Sequence, residues 1–291
     1  MATRIQIAKS DIVKLLDQQK RHVFTRKDLA GFLAAGREGW RLTQATNVQA
    51  FIDFLSEKSH LRKVILKAED YADETRYVWR SATPYQIALS LGKNAYLTHG
   101  TAVFLHALTE QVPKMIFVNI EQSPKPQPQG NLTDESLKRA FAAPQRFTRL
   151  IYGYEDIRIA VLSGKNTQRL EVGTLVGPAG EEVDGTKLER TLIDIAVRPA
   201  YAGGVHKVLE TYQAAKNKVS INTLLATLKK LNYVYPYHQA IGFYLEKSGY
   251  ETSRLALVEK IPRLHNFYLA NALEDPAFDS KWKLFYPRSG F

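Results

Sequence analysis

A chain of 291 residues with 45 % hydrophobic side chains has the length for two domains and the apolar content for real cores, which excludes a disordered polymer. The absence of cysteine excludes a disulfide framework, a thiolate zinc site and a cysteine nucleophile, and points to a reducing compartment, the cytoplasm by default. With 40 Lys and Arg against 29 Asp and Glu, the formal charge of +11 favours a polyanionic partner, nucleic acid first; no window offers the roughly twenty apolar residues of a membrane helix, so no membrane partner is expected.

Taken from the N-terminus, Ile5, Ile7, Ile12, Val13, Leu15 and Leu16 predict one amphipathic helix ending at the basic cluster Lys20-Arg21-His22. Thr25 is an N-cap candidate for a second helix from Arg26 to about Ala35, closed by Gly36. A third is expected near Thr46, where Thr46 and Gln49 read as a capping box and Val48, Phe51, Ile52 and Leu55 form its apolar face. Leu61 to Leu66 and Arg76 to Arg80 read as strands around an acidic tip, Ala68 to Glu74. Three short helices and a hairpin are the order of a winged helix-turn-helix over residues 1–82, with the third helix in the major groove. Its groove-facing positions are Thr46, Asn47, Gln49, Ala50 and Asp53, and Asn and Gln are the usual readers of adenine. Because the capping box would consume Gln49, Asn47 is the favoured reader. Arg26, Lys27, Arg37 and Arg41, with Arg62, Lys63 and Lys67 on the hairpin, are placed to touch phosphates. The acidic tip argues against deep insertion of the hairpin.

Pro84, with Thr83 as cap, launches a larger second domain, 83–291, of mixed α/β character, so that the fold class expected for the whole is α+β. Within it, residues 94 to 108 read as a helix carrying His99 and His106, Met115 to Ile120 as a buried strand, and Ser123 to Gln129 as a polyproline loop. Thr133 opens a helix through Phe141, and Ile157 to Leu162 and Glu171 to Val176 are strand candidates. The most locally specified stretch is Thr186 to Pro199: Thr186 and Glu189 match a capping box, Leu188, Leu192 and Ile195 an apolar stripe, and Arg190, Asp194 and Arg198 an i, i+4, i+8 row. Such a row is ordinarily a solvated ion-pair face; its functional alternative is partner docking. Helices follow at His206 to Ala215 and, capped by Ser220, at Asn222 to Leu231; the tyrosine cluster from Tyr233, including Tyr235 and Tyr237, reads as packing or as a protein-binding surface. The aromatic tail is expected to dock.

Motifs for familiar chemistry fail. Ile159 stands where a phosphate loop ending in Gly164-Lys165 needs glycine, no His-Glu-x-x-His or Gly-x-Ser-x-Gly occurs, and neither metal site nor cofactor nor catalytic residue is assigned. Asp156, Glu171, Glu181, Glu182 and Lys165 permit a metal-dependent nuclease as the alternative activity, without diagnostic spacing.

Three stretches in combination carry a family resemblance: Ala95 to Ala102 with Phe104 to Leu108; Leu188 to Asp194 with Arg198-Pro199 and Tyr201 to Val205; and Tyr235 to Gln239 with Gly242 to Tyr244. On these the chain resembles the AbiEi-type antitoxins of type IV toxin-antitoxin and abortive-infection systems, nearly end to end. The resemblance implies no enzymatic activity, an N-terminal winged helix repressing its own operon at inverted repeats of double-stranded DNA, and a C-terminal domain that neutralises a nucleotidyltransferase-like toxin encoded nearby. In that light Arg190, Asp194, Arg198, Tyr235 and Tyr237 become candidate partner-binding residues. A regulator without a toxin partner is the non-enzymatic alternative.

Overall fold

The computed structural model of the chain describes residues 3–126 and 131–291. Its first part contains α1 (Arg4–Ile7), α2 (Lys9–Asp17), β1 (Val23–Phe24), α3 (Arg26–Gly36), α4 (Val48–Lys58), and the hairpin β2 (Leu61–Ala68) and β3 (Glu74–Trp79). Ile12 and Leu16 of α2, Leu29 and Leu33 of α3, and Phe51 and Leu55 of α4 close over Tyr77 and Trp79 of β3 in one core. Trp79 is fully buried, and its indole Nε1 donates to Asp17 Oδ1 at 2.7 Å. Arg80 grips the same carboxylate through Nε and Nη2 at 2.6 and 2.8 Å, and these hydrogen bonds hold Asp17 well below the usual carboxylate range.

The second part runs α5 (Pro84–Leu89), β4 (Tyr96–Leu97), α6 (His99–Leu105), β5 (Met115–Glu121), α7 (Asp134–Ala142), β6 (Ile151–Tyr154), β7 (Ile157–Gly164), β8 (Val172–Val176), β9 (Glu182–Thr186) and α8 (Leu188–Val197). A 3-10 turn (Pro199–Ala202) leads into α9 (Val205–Ala215), α10 (Ile221–Leu231), α11 (Tyr237–Lys247) and α12 (Thr252–Glu259), then a small sheet of β10 (Phe267–Tyr268), β11 (Pro276–Asp279) and β12 (Leu284–Pro287). The class is α+β. Helices α8 to α11, the aromatic tail and Trp282 share the largest core, so the tail is docked as its composition predicts.

One sheet crosses the expected boundary at residue 82. Its order is β1-β3-β2-β6-β7-β5-β4-β9-β8, and β2 joins the two parts by pairing Lys67 with Gly153 and Ala68 with Tyr152. The hairpin consequently contributes to two cores, while Lys63, Ile65 and Lys67 of β2 stay exposed. Leu61, Tyr77 and Trp79 face the first core, whereas Val64, Leu66 and Val78 face the second, alongside Ile87 of α5 and Ile159 of β7. Arg76, 5 % exposed, donates to Glu74 at 2.6 Å and to Ser90 Oγ at 3.1 Å, locking the hairpin to the end of α5.

Caps that depend only on neighbouring residues form as expected: Thr25, Thr83, Thr133 and Ser220 each accept from a backbone N–H of the first helical turn. Several longer-range expectations are corrected. The first helix is broken at Ala8, and the 94–108 segment is a short strand followed by the shorter α6. Asn47, not Thr46, caps α4, with Oδ1 accepting from Ala50 N at 2.9 Å. The Thr186–Glu189 capping box does not form. Thr186 ends β9, with its hydroxyl 2.8 Å from that of Thr191, and Glu189 accepts from Ser220 N at 2.9 Å, at the start of α10. Strands β6 and β9 and helices α11 and α12 were not anticipated, and the polyproline expectation at 127–129 lies outside the described residues.

Candidate functional site

Helix α8 was expected to show its charged row to water, and it does not. Arg190 and Asp194 are each 5 % exposed, and Arg190 Nε donates to Asp194 Oδ1 at 2.7 Å. The guanidinium Nη1 also donates to the Leu170 carbonyl at 2.9 Å, so α10, α6 and the β7–β8 connection cover what the sequence presents as a solvated face. The row stops there. Arg198 lies beyond the end of α8 with φ −137° and is exposed, its guanidinium 5.9 Å from the Tyr201 ring centroid.

The other oxygen of Asp194 reaches a distant segment. Thr98 Oγ1 donates to Asp194 Oδ2 at 3.2 Å and sits 3.1 Å from His99 Nδ1. His99 opens α6 at φ +49°, a left-handed conformation uncommon for a side-chain-bearing residue, and packs edge-on against Tyr201 at 5.3 Å. Burial is the main cause that depresses the His99 imidazole to about 4; Asp194 opposes it, and Arg198 and Arg190 add to it.

These groups line one cavity of about 660 Å³. Its floor is the carboxyl end of the parallel pair β5 and β7, where Asn119 lies opposite Leu162 and Glu121 opposite Gly164. A Cβ at Gly164 would fall against the Asn119 carboxamide, which would then have to shift from its hydrogen bond to the Tyr96 hydroxyl. The next residue, Lys165, extends Nζ to the carbonyls of Leu231 and Asn232 at 2.7 and 2.8 Å, capping the end of α10. The Tyr233–Tyr237 segment forms another wall, with Tyr237 edge-on to both Tyr233 and Tyr235. Burial raises the Tyr233 and Tyr237 phenols above their ordinary value, itself well above neutrality, so both stand in the wall as neutral hydroxyls.

All five residues expected to bind a partner, Arg190, Asp194, Arg198, Tyr235 and Tyr237, line this cavity. Sequence reading singled out none of Asn119, Tyr96 and Thr98, although the last two lie within the Ala95–Ala102 stretch; Lys165 was visible as half of a phosphate-loop motif it does not complete and as a member of the nuclease set. The carboxylates of the nuclease alternative are dispersed: Glu171 pairs with Lys187 at 3.1 Å, Glu181 accepts from Ala179 N, and Asp156 and Glu182 are exposed. Among the described residues no group of three or more His, Asp and Glu is arranged to hold a metal ion.

The expected DNA-contacting residues lie on the first part. Arg26, Lys27, Arg41, Asn47, Gln49, Ala50, Asp53, Arg62, Lys63 and Lys67 are exposed, and Thr46 is half-buried. Both expected base readers, and several of the expected phosphate contacts, are engaged within the chain. Gln49 is free of the cap but held between Arg26 Nη1 at 2.6 Å and Asp53 at 2.7 Å, whereas Asn47 has given its oxygen to the helix and keeps only its amide donors. Arg37 turns inward to the carbonyls of Thr43 and Thr46, Lys67 is paired with Asp73 at 2.5 Å, and Arg62 reaches the Tyr154 hydroxyl at 3.3 Å.

No protein-family model matches the sequence, and no curated protein matches it. Among solved structures, the crystal structure of the Rv2827c protein from Mycobacterium tuberculosis is similar over nearly the whole chain, covering 96 % of this chain and 91 % of that one with a TM-score of 0.55 and 15 % identity. At that identity the likeness establishes a shared fold. No helix among the described residues is long and apolar enough to cross a membrane.

The buried histidine makes a prediction for pH. Its folded pKa is depressed from 6.5, so the unfolded chain binds the proton first, and stability present above pH 6.5 is lost as pH falls toward 4. The loss attributable to His99 is expected to reach roughly 3 kcal/mol. Asn tolerates left-handed backbone and does not titrate, so His99→Asn should flatten the acid limb of a urea-denaturation series from pH 7 to 4. An unchanged slope would assign the acid limb elsewhere.

Proposed function

We propose that this protein is a DNA-binding antitoxin that represses its own operon and neutralises a nucleotidyltransferase-like toxin. One observation carries the reading. The three stretches on which the chain resembles AbiEi-type antitoxins, far apart in sequence, meet at a single cavity: His99 from the first, Arg190, Asp194 and Arg198 from the second, and Tyr235 and Tyr237 from the third.

DNA binding is assigned to the first part as a winged helix-turn-helix, read from the order of three helices and a hairpin and from the +11 charge. Helix α4 presents Asn47, Gln49 and Asp53 to solvent, and the exposed side of β2 adds Lys63 beside it. The hairpin, held by both cores, flanks the duplex rather than entering a groove. The second part, through the cavity rim and the tyrosine segment, is the toxin-facing element.

The test is fluorescence anisotropy with the chain's own upstream DNA against random duplex of equal length, across salt concentrations. Asn47→Ser keeps the helix cap and removes the amide donors; it is expected to cost about 1–3 kcal/mol of preference for the operator while leaving random duplex unchanged. Lys63→Ala should weaken both duplexes alike and reduce the salt slope by about 1. Equal affinity of the wild type for both duplexes would refute the repressor. Co-expression with the neighbouring reading frame separates antitoxin from stand-alone regulator: rescue of growth and co-purification support the first, and failure of both supports the second.

A further inference from the structure

The cavity has a charge balance that protein docking alone does not explain. Four basic side chains, Lys125, Lys165, Arg190 and Arg198, line it against a single carboxylate, Asp194, which is already taken by Arg190. Among the described residues neither Lys165 nor Arg198 forms a salt bridge. Lys165 is fixed by two helix-end carbonyls, which orient its ammonium and leave one N–H unused, and burial lowers its pKa. Cations held at the rim of a concave site with no counter-charge set a local potential for an anion, and guanidinium geometry suits phosphate.

Shape and position agree. The volume of about 660 Å³ falls within the roughly 300–1,000 Å³ of small-molecule sites. The site lies outside the carboxyl ends of two parallel strands, β5 and β7, where open sheets containing parallel strands commonly take their ligands. Its wall supplies aromatic faces: Tyr233, Tyr235 and Tyr237 line it, and Lys165 Nζ stands 5.6 Å from the Tyr233 ring centroid. A ring stacked there would be within reach of the same ammonium that meets its phosphate.

We propose that this cavity binds a nucleoside monophosphate, its phosphate on Arg198 and Lys165 and its base against the Tyr233–Tyr237 wall. The site shares Arg198, Tyr235 and Tyr237 with the toxin-facing element proposed above, but the two readings fail separately: operator binding reports on α4 and β2, rescue by co-expression on the toxin, and nucleotide binding on the cavity.

The experiment is isothermal titration calorimetry and thermal-shift measurement on the full chain with the four ribonucleoside 5′-monophosphates, adenosine and inorganic phosphate. At least one monophosphate is expected to bind saturably at sub-millimolar concentration, about tenfold or more tighter than adenosine or phosphate alone, since each lacks one half of the contacts. Arg198→Ala is the principal variant: the side chain is exposed and outside the core, so folding should be unaffected, and affinity should fall about tenfold for one lost charge-assisted contact. Lys63→Ala, remote from the cavity, should bind as the wild type does. Absence of binding by all four monophosphates at millimolar concentration, phosphate binding as tightly as the monophosphates, or an Arg198→Ala protein with wild-type affinity would each overturn the proposal.

Discussion

Asp194→Ala is expected to destabilise the protein by about 3–5 kcal/mol, the cost of leaving a buried guanidinium without its counter-charge. The magnitude follows from where the pair sits. A solvated i, i+4 pair is worth about 0.3–0.5 kcal/mol, whereas both side chains here are only 6 % exposed and share further hydrogen bonds with Thr98 and the Leu170 carbonyl. Removing both charges together should be much milder: Arg190→Met with Asp194→Leu replaces the pair by apolar side chains of comparable bulk and should recover most of the loss. Chemical denaturation of the two variants beside the wild type measures the difference. Should Asp194→Ala cost under about 1 kcal/mol, the ion pair would behave as a surface pair and its burial would be of no energetic consequence. Operator affinity of the folded Asp194→Ala protein should be unchanged, since the site is on the second part of the molecule.

The second large effect concerns the hairpin. A fragment ending at residue 82 contains all three N-terminal helices and both hairpin strands, yet it strips the cover from Val64, Leu66 and Val78 and breaks the pairing of Lys67 and Ala68 with β6. Exposing three such side chains costs roughly 5–8 kcal/mol at the usual value for burying Val or Leu, comparable with the whole stability of a small domain. Arg76 would also lose Ser90. Circular dichroism and urea titration of the fragment should show an aggregated or non-cooperative species, whereas a chain extended through β7 restores the cover of the hairpin in part. Cooperative unfolding of the 1–82 fragment with a stability above about 5 kcal/mol would show that the shared sheet is dispensable.

Both effects arise where local reading fell short. Helices α3, α5, α7 and α10 were legible because their caps, Thr25, Thr83, Thr133 and Ser220, are satisfied within three residues along the chain. Thr186 and Glu189 have the same spacing and the same residue types, but their partners, Thr191 and Ser220, belong to a helix turn and a distant helix start. The pattern alone could not separate the two outcomes. Strands β6 and β9 escaped notice because they are short and contain Gly153, Asp184 and Gly185, residues with little strand preference that the sheet nevertheless recruits.

For the site, the charged row on α8 and the tyrosine segment were visible as residue types, and the residues that complete the cavity were not. Asp194 meets Thr98 across 96 positions, and Lys165 meets Leu231 across 66. Composition fixed the basic charge and the lack of thiol side chains, and chain chemistry acting over three or four residues was enough to settle the helices with self-contained caps. Three-dimensional packing alone decided that the hairpin is shared by two cores, that an apparent surface ladder is a buried ion pair, and that three remote stretches enclose one cavity. The reason is physical: a cap or an amphipathic stripe is satisfied by neighbours in sequence, whereas burial, sheet register and the meeting of side chains at a site are properties of what the rest of the chain places over them.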